Sequence, residues 1–248
     1  MRAFEEAGNV RSACNQRINL ADAIIQLGLY ERAESELRRA LEIAERLRIH
    51  AMRGLSILNL GVVVGRLGRL TEACALEAEA IALCRAFGDL RLESGAHVYQ
   101  ANNWLKAGDV KAAEDEARLA LSCAGESPAM RAYALAMLAR VELADGRVEE
   151  ALGRTREAMA ILQARGQIDE GESMLRLVHA EALDRAGDRP AARDAIAAAQ
   201  RRLVGLAAAI TDAATRACFL TAVEEHARTF ELARAWGVDA SLATSPHG

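Results

Sequence analysis

Apolar residues recur along the chain at spacings of three and four, in long segments that alternate with short polar or glycine-containing breaks. Residues 10–27 and 30–47 are the first two such segments. In the second, Ala33, Leu37 and Ala40 fall on one side of a helix, because these spacings match the helical period. No alternating apolar–polar run is long enough to propose a strand. The pattern therefore predicts an all-α chain.

Later segments repeat this pattern and predict the remaining helices. These lie at about 51–67, 70–87, 92–107, 110–124, 128–145, 148–165, 170–186 and 190–208, followed by 213–223 and 224–236. Between the two helices of each pair stands a glycine, with an alanine five residues later. The turn glycines are Gly28, Gly68, Gly108, Gly146 and Gly187, which step by 40, 40, 38 and 41 residues. A fixed period in this range indicates stacked repeats.

The period divides the chain into a repeat array with atypical ends. Five repeats are predicted at about 10–49, 50–89, 90–126, 127–167 and 168–208. Residues 1–9 are interpreted as the end of a truncated repeat, which favours a fragment or domain of a longer protein over a natural start with a short helix. Residues 209–237 are predicted to form C-terminal capping helices, since an array must cover its last apolar face. Residues 238–248 are predicted to be a flexible tail.

Charge and cysteine content narrow the possible partners and location. The net charge of −4 comes from 31 basic and 35 acidic residues mixed along the chain, which argues against a nucleic-acid-binding surface. The five cysteines show no C-x-x-C pair and fit reduced thiols in a cytoplasmic protein. No apolar run reaches the roughly 20 residues that a membrane span needs, so no membrane partner is expected.

The sequence offers no recognisable catalytic constellation. The histidines at 50, 97, 179, 226 and 247 show no H-E-x-x-H spacing, and the chain contains neither a P-loop nor a kinase catalytic loop. Acidic runs such as 114–116 are typical of solvated helix faces. We therefore expect a non-catalytic protein with no metal and no cofactor.

The spacing of small residues around the turns resembles the tetratricopeptide repeat (TPR) of the long-repeat type. Small residues stand in the middle of each first helix, at Ala21, Gly61, Ala101, Ala139 and Ala180. Alanine pairs stand in each second helix, at Ala33/Ala40, Ala73/Ala80, Ala113/Ala120, Ala151/Ala158 and Ala192/Ala199. The resemblance implies a right-handed superhelical α-solenoid of antiparallel helix pairs. HEAT and armadillo arrays have similar periods and remain the alternative, although they lack this set of small residues.

A second, looser resemblance concerns the C-terminal stretch from Asp212 to Trp236. It is similar to the end of the helical regions in large multidomain bacterial signalling proteins, which carry a serine/threonine kinase or NTPase domain upstream. The resemblance implies a scaffold or sensor module in signal transduction. The alternative function is an intramolecular regulatory or oligomerisation array that controls an upstream domain of the same polypeptide.

The TPR resemblance also implies a binding surface on the concave side, which is formed by the first helix of each repeat. Asparagine can donate and accept at once and so can pair with a peptide bond, and arginine suits carboxylates. A protein or peptide segment is the expected ligand, while a small molecule has no support in the sequence. The predicted binding residues are Asn19, Asn59, Arg66, Tyr99, Asn102, Lys106, Tyr133 and Arg140.

Overall fold

The computed structural model describes residues 10–238, and the predictions for residues 1–9 and 239–248 lie outside this range. The described part of the chain contains helices and no strand. Its twelve helices are α1 (Val10–Ile25), α2 (Tyr30–Arg46), α3 (His50–Arg66), α4 (Leu70–Phe87), α5 (Leu90–Lys106), α6 (Val110–Cys123), α7 (Pro128–Ala144), α8 (Val148–Arg165), α9 (Glu172–Arg185), α10 (Arg189–Ala208), α11 (Ala213–Thr221) and α12 (Glu224–Ala235). The all-α prediction is confirmed. None of the described helices is long and apolar enough to cross a membrane.

The ends of the helices follow from local chemistry. The five turn glycines have φ between 76° and 86°, a left-handed conformation in which a Cβ atom would be strained. Several helices begin with a side-chain cap: the carboxylates of Asp89, Asp109, Asp188 and Asp212 each accept a hydrogen bond from a backbone N–H three residues later. Local signals of this kind explain why the helix bounds match the sequence prediction to within two residues.

Unit 1 is the first of two compact units into which the chain divides, and it spans Met1–Gly125. Its described part contains α1 to α6. Each helix packs on the next, and α3 also packs on both α1 and α5. These three helices, the first of each repeat, therefore form one layer of unit 1, which we call the A layer. A core that includes Ala21, Leu37, Leu60, Val64 and Ala73 joins α1, α2, α3 and α4.

Unit 2 spans Glu126–Gly248, and its described part contains α7 to α12. Helices α7 to α10 form two further helix pairs, with α7 packed on α9. The last helix, α12, lies against α9 and α10, where Leu232 and Ala233 join a core with Leu177, Ala180 and Ile196. Helix α12 thus covers the apolar side of the helix pair before it.

Candidate functional site

A narrow strip of polar residues interrupts the buried surface of the A layer. Asn59 is the only residue between Ser56 and Gly65 of α3 that is not buried. Between Glu93 and Asn103 of α5, only Tyr99 and Asn102 are not buried. These three residues are therefore the side chains through which the middle of each helix reaches the surface.

Asn19 on α1 extends this strip, because it has the same position relative to its turn glycine as Asn59 and Tyr99 have to theirs. Asn19 is exposed. We refer to Asn19, Asn59, Tyr99 and Asn102 together as the amide strip. Neighbouring helix axes lie about 8–10 Å apart, so the strip presents one polar position on α1, one on α3 and two on α5 at steps of about this length. Arg66 and Lys106 lie in the last turns of α3 and α5 and add positive charge along one side of the strip.

Two glycines allow α3 to pack closely against the neighbouring helices α4 and α5. A Cβ atom added to Gly61 would lie 2.6 Å from Oε1 of Glu77, and one added to Gly65 would lie 2.5 Å from Oδ1 of Asn103. Glu77 is completely buried and neither carboxylate oxygen has a hydrogen-bond partner. Burial raises the pKa of Glu77 well above its ordinary value, since a low-dielectric environment disfavours the charged form. The α3–α4 interface therefore contains one buried carboxyl group within otherwise apolar packing.

Arg140 in unit 2 is held by the last helix of its own unit. Its guanidinium lies 2.7 Å from Glu224 and 3.6 Å from Glu225, both at the start of α12. Next to these ion pairs is a pocket of about 290 Å³, and Glu181, Arg228 and Leu177 are among its lining residues. A ligand carboxylate would have to compete with Glu224 for Arg140, which the sequence prediction did not anticipate.

Tyr133, another predicted binding residue, lies in the interior of unit 2. Its side chain is 6% exposed and packs directly below Gly171, where a Cβ atom would overlap the aromatic ring. The segment between α8 and α9 therefore covers Tyr133. The expectation that Tyr133 faces a groove does not take this segment into account, and we leave Tyr133 out of the candidate surface.

Sequence reasoning missed a group of buried ionisable side chains on α5. Glu93 and His97 are 4% and 2% exposed, and the ring of His97 lies 2.6 Å from Glu116 of α6. Their i, i+4 spacing was a usable signal, because it places both side chains on one face of a helix. The search for H-E-x-x-H and C-x-x-C patterns did not cover it.

Comparison with known families connects this fold to a repeat class. A family model described as tetratricopeptide repeat matches residues 132–157 and 173–198, which lie on α7–α8 and α9–α10. No curated protein sequence matches the chain. The two matched segments show TPR-type repeats in unit 2, in agreement with the resemblance seen in the sequence.

Several solved structures share the fold at low sequence identity. BtubC (BKLC) from P. vanneervenii has a TM-score of 0.61 at 22% identity and covers 85% of this chain and 87% of its own. A Podosopora anserina kinesin light chain candidate with nearly identical TPR-like repeats has a TM-score of 0.54 at 20% identity, over 73% and 90% of the two chains. A Rap protein in complex with Competence and Sporulation Factor has a TM-score of 0.64 at 15% identity, over 95% and 66%. The described helices therefore have a TPR-like helical-repeat fold.

Proposed function

We propose that this protein is a non-catalytic binding module, and that the amide strip of unit 1 binds an extended segment of a protein or peptide. The observation that carries the proposal is the selective exposure of Asn59, Tyr99 and Asn102 in helices that are otherwise buried along their central turns. Core packing alone does not require carboxamides at these positions. Carboxamides can pair with both the N–H and the C=O of a peptide backbone.

The spacing of the strip suits a peptide that crosses the A layer. An extended chain advances about 3.3 Å per residue, so a step of about 8–10 Å between helices corresponds to about three peptide residues. Asn59 and Asn102 would then contact backbone groups about three residues apart. Tyr99 lies three residues before Asn102 on α5 and is half-buried. Its ring offers an apolar face for one peptide side chain.

Positive charge along one side of the strip favours an acidic ligand. Arg66 and Lys106 lie in the last turns of their helices and supply cationic groups that can approach a carboxylate. We therefore propose that the segment has an acidic side chain or a free C-terminal carboxylate near these residues. Arg140 takes no part in this surface, because it already pairs with Glu224.

The biological setting is a further part of the proposal. The resemblance of residues 212–236 to the ends of helical regions in bacterial signalling proteins supports a cytoplasmic signalling role. Binding of a partner segment to unit 1 would then serve as the scaffold or sensing step. The Rap structure was solved with Competence and Sporulation Factor, which is consistent with a ligand-binding use of this fold.

The test starts from a displayed library of random linear peptides with free C-termini, selected on the full chain. The best peptide is then synthesised, and its affinity is measured by fluorescence polarisation. The variant Asn59→Ala/Asn102→Ala should weaken binding at least about tenfold, the loss expected when hydrogen bonds worth about 1.4 kcal/mol or more disappear. Amidation of the peptide C-terminus shows whether Arg66 and Lys106 recognise a terminal carboxylate.

A matched control uses Gln163→Ala, which removes an exposed carboxamide from α8 and should leave the affinity unchanged. Thermal melting of all variants verifies that the fold is intact. Equal affinity of the wild type and the Asn59→Ala/Asn102→Ala variant would rule out the amide strip as the binding surface. Failure of every library peptide to bind the wild type would count against the peptide-binding function itself.

A further inference from the structure

Three side chains with metal-binding atoms meet between α5 and α6 of unit 1. Glu93 and His97 lie one turn apart on α5, and Cys123 is the last residue of α6. A carboxylate oxygen, a ring nitrogen and the sulfur of these residues all lie within 4.8 Å of one another. Oxygen, nitrogen and sulfur donors of these types are the ones that Zn²⁺ binds in proteins. The three residues are separate from the amide strip.

The orientation of His97 is the second observation that indicates a ligand. Its Nδ1 lies 2.6 Å from Oε2 of Glu116, so the proton on Nδ1 is donated to that carboxylate. In a neutral ring that donates from Nδ1, Nε2 is the unprotonated nitrogen, which can bind a metal ion. Nε2 is buried and has no hydrogen-bond partner, and Oε1 of Glu93 is 3.8 Å away. A buried polar atom left without a partner is costly, and a metal ion would supply the missing contact.

We propose that Glu93, His97 and Cys123 bind a divalent transition-metal ion of the zinc type. In a tetrahedral zinc site with metal–ligand distances of about 2.0–2.3 Å, the ligand atoms lie roughly 3.3–3.7 Å apart. The distance from His97 Nε2 to Glu93 Oε1 is 3.8 Å, and all three ligand atoms lie within 4.8 Å of one another, so side-chain rotations would have to bring them closer together around an ion. Cys123 would lose its proton to solvent on binding. Because Cys123 is only half-buried, a water molecule can reach the fourth position.

Glu116 has the geometry of a positioning residue for this site. Metal-binding histidines commonly donate their second ring N–H to a carboxylate, which fixes the orientation of the ring. The contact of His97 Nδ1 with Glu116 Oε2 has this form. Glu116 acts through His97 and is not among the three residues that would touch the ion.

A purely electrostatic role for the cluster is the competing account. Arg85 lies 2.9 Å from Glu93, and a doubly protonated His97 would interact with the carboxylates of both Glu93 and Glu116. This account requires no ion, and it leaves the thiol of Cys123 hydrogen-bonded to the carboxylate of Glu93. The Arg85 side chain is 63% exposed and can therefore turn towards solvent when an ion binds Glu93.

The test is a titration of the reduced full chain with Co²⁺, because cobalt bound to a thiolate gives a charge-transfer absorption that imidazole or carboxylate ligands alone do not give. The wild type should show this absorption and saturate with one bound ion. Zn²⁺ should then displace Co²⁺ and remove the absorption. Raised thermal stability in the presence of Zn²⁺ provides a second readout, since an ion that binds only the folded state stabilises it.

Variants distinguish the proposed ligands from other residues of the same type. Cys123→Ala and His97→Gln should each lose the absorption, whereas Cys218→Ala and His50→Gln, which lie outside the cluster, should keep it. Cys123→Ser, which is nearly the same size as cysteine, replaces Cys123→Ala if that variant fails to fold. Circular dichroism melting of each variant verifies folding.

Two further variants separate positioning from electrostatics. Glu116→Gln should weaken cobalt binding about 10- to 100-fold without abolishing it. Arg85→Ala should leave the affinity unchanged or increase it, because it releases Glu93. Absence of the absorption in the folded wild type, or its persistence in Cys123→Ala, would overturn the proposal and leave the ion-pair account.

Discussion

The buried interface between the two helices of a repeat contains different side chains in unit 1 and in unit 2. In unit 1, Gly61 of α3 faces the buried, unpartnered carboxyl group of Glu77. The residues at the same distances from Gly146, the turn glycine of the first helix pair of unit 2, are Ala139 and Thr155. The hydroxyl of Thr155 donates to the backbone of Leu152 and contacts the ring of His179. At these two positions, unit 1 thus buries a carboxyl group without a hydrogen-bond partner, whereas unit 2 buries a hydroxyl group that is hydrogen-bonded.

The difference shows that the spacing of the small residues does not determine which side chains fill the interface between the helices. In the first repeat of unit 1 the same two positions are held by Ala21 and Leu37, both fully buried. The combination of Gly61 with Glu77 replaces a methyl group on one helix by a longer polar side chain on the other. The family model matches segments of unit 2.

The largest expected effect concerns the close contact in unit 2. Gly171→Ala places a Cβ atom into the ring of Tyr133 at a φ of 79°, so overpacking and backbone strain add up. We expect a loss of about 3 kcal/mol or more in the free energy of unfolding, measured by urea denaturation. Gly146→Ala is the control, because φ is 81° there and no atom lies within 4 Å.

The control should cost only about 1–2 kcal/mol, the strain of a left-handed conformation. If both variants lose the same free energy of unfolding, then the packing of Tyr133 against Gly171 adds nothing to the cost of the Gly171→Ala substitution.

The second prediction converts the polar interface of unit 1 into the apolar type. Gly61→Ala alone should lower the free energy of unfolding by about 2 kcal/mol, because the new methyl group overlaps Glu77 in a packed interior. Gly61→Ala/Glu77→Leu should recover this loss, since it installs the pair found at Ala21 and Leu37. Urea denaturation of both variants and of Glu77→Leu measures the coupling.

The three variants form a double-mutant cycle, and we expect their effects on the free energy of unfolding to be non-additive, because residues in contact couple. Additive effects would mean that Gly61 and Glu77 do not share one packing constraint, and the proposed difference between the interfaces would be wrong.

The third prediction uses the ionisation of Glu77. Its pKa is raised by burial above the ordinary value of 4.5, so the folded state holds the proton more tightly than the unfolded state. The resulting stability is fully present below pH 4.5 and is lost as pH rises through the raised pKa. Glu77→Gln keeps the shape and cannot ionise. Its stability relative to the wild type should therefore increase between pH 5 and pH 8.

Denaturation at these two pH values tests the sign of this effect. Glu142→Gln provides a comparison in unit 2, because its carboxylate, although also buried, lies 3.4 Å from the Arg154 guanidinium. A stability difference for Glu77→Gln that does not change with pH would show that Glu77 is not a buried ionisable group.

The smallest predicted effects are equal in the two units. Asp109 caps α6 through the N–H of Ala112, and Asp188 caps α10 through the N–H of Ala191. Asp109→Ala and Asp188→Ala should each cost about 1 kcal/mol in the free energy of unfolding, the usual value of an N-cap. A much larger loss in one unit would show that its caps, rather than its interfaces, distinguish the units.

Much of the fold follows from the sequence, because the signals for helix position are local. The turn glycines adopt the left-handed conformation that their spacing predicts, and the helix bounds follow from caps and apolar periodicity. Part of the candidate surface was also predictable. Asn59 and Tyr99 stand at the same distance from their turn glycines, and the structure leaves these positions and Asn102 at the surface. Their role in binding stays a prediction.

The remaining features depend on residues far apart in the chain. Arg140 pairs with Glu224, which is 84 residues away, and the ring of Tyr133 is covered by Gly171. Glu93 and His97 meet Cys123 only because α5 packs on α6. Helical periodicity states which side of a helix is apolar, but it does not state which distant side chain lies against it. The sequence by itself determined the helices, the repeat period and the polar strip, and only tertiary packing decided which polar groups became buried, paired or brought together.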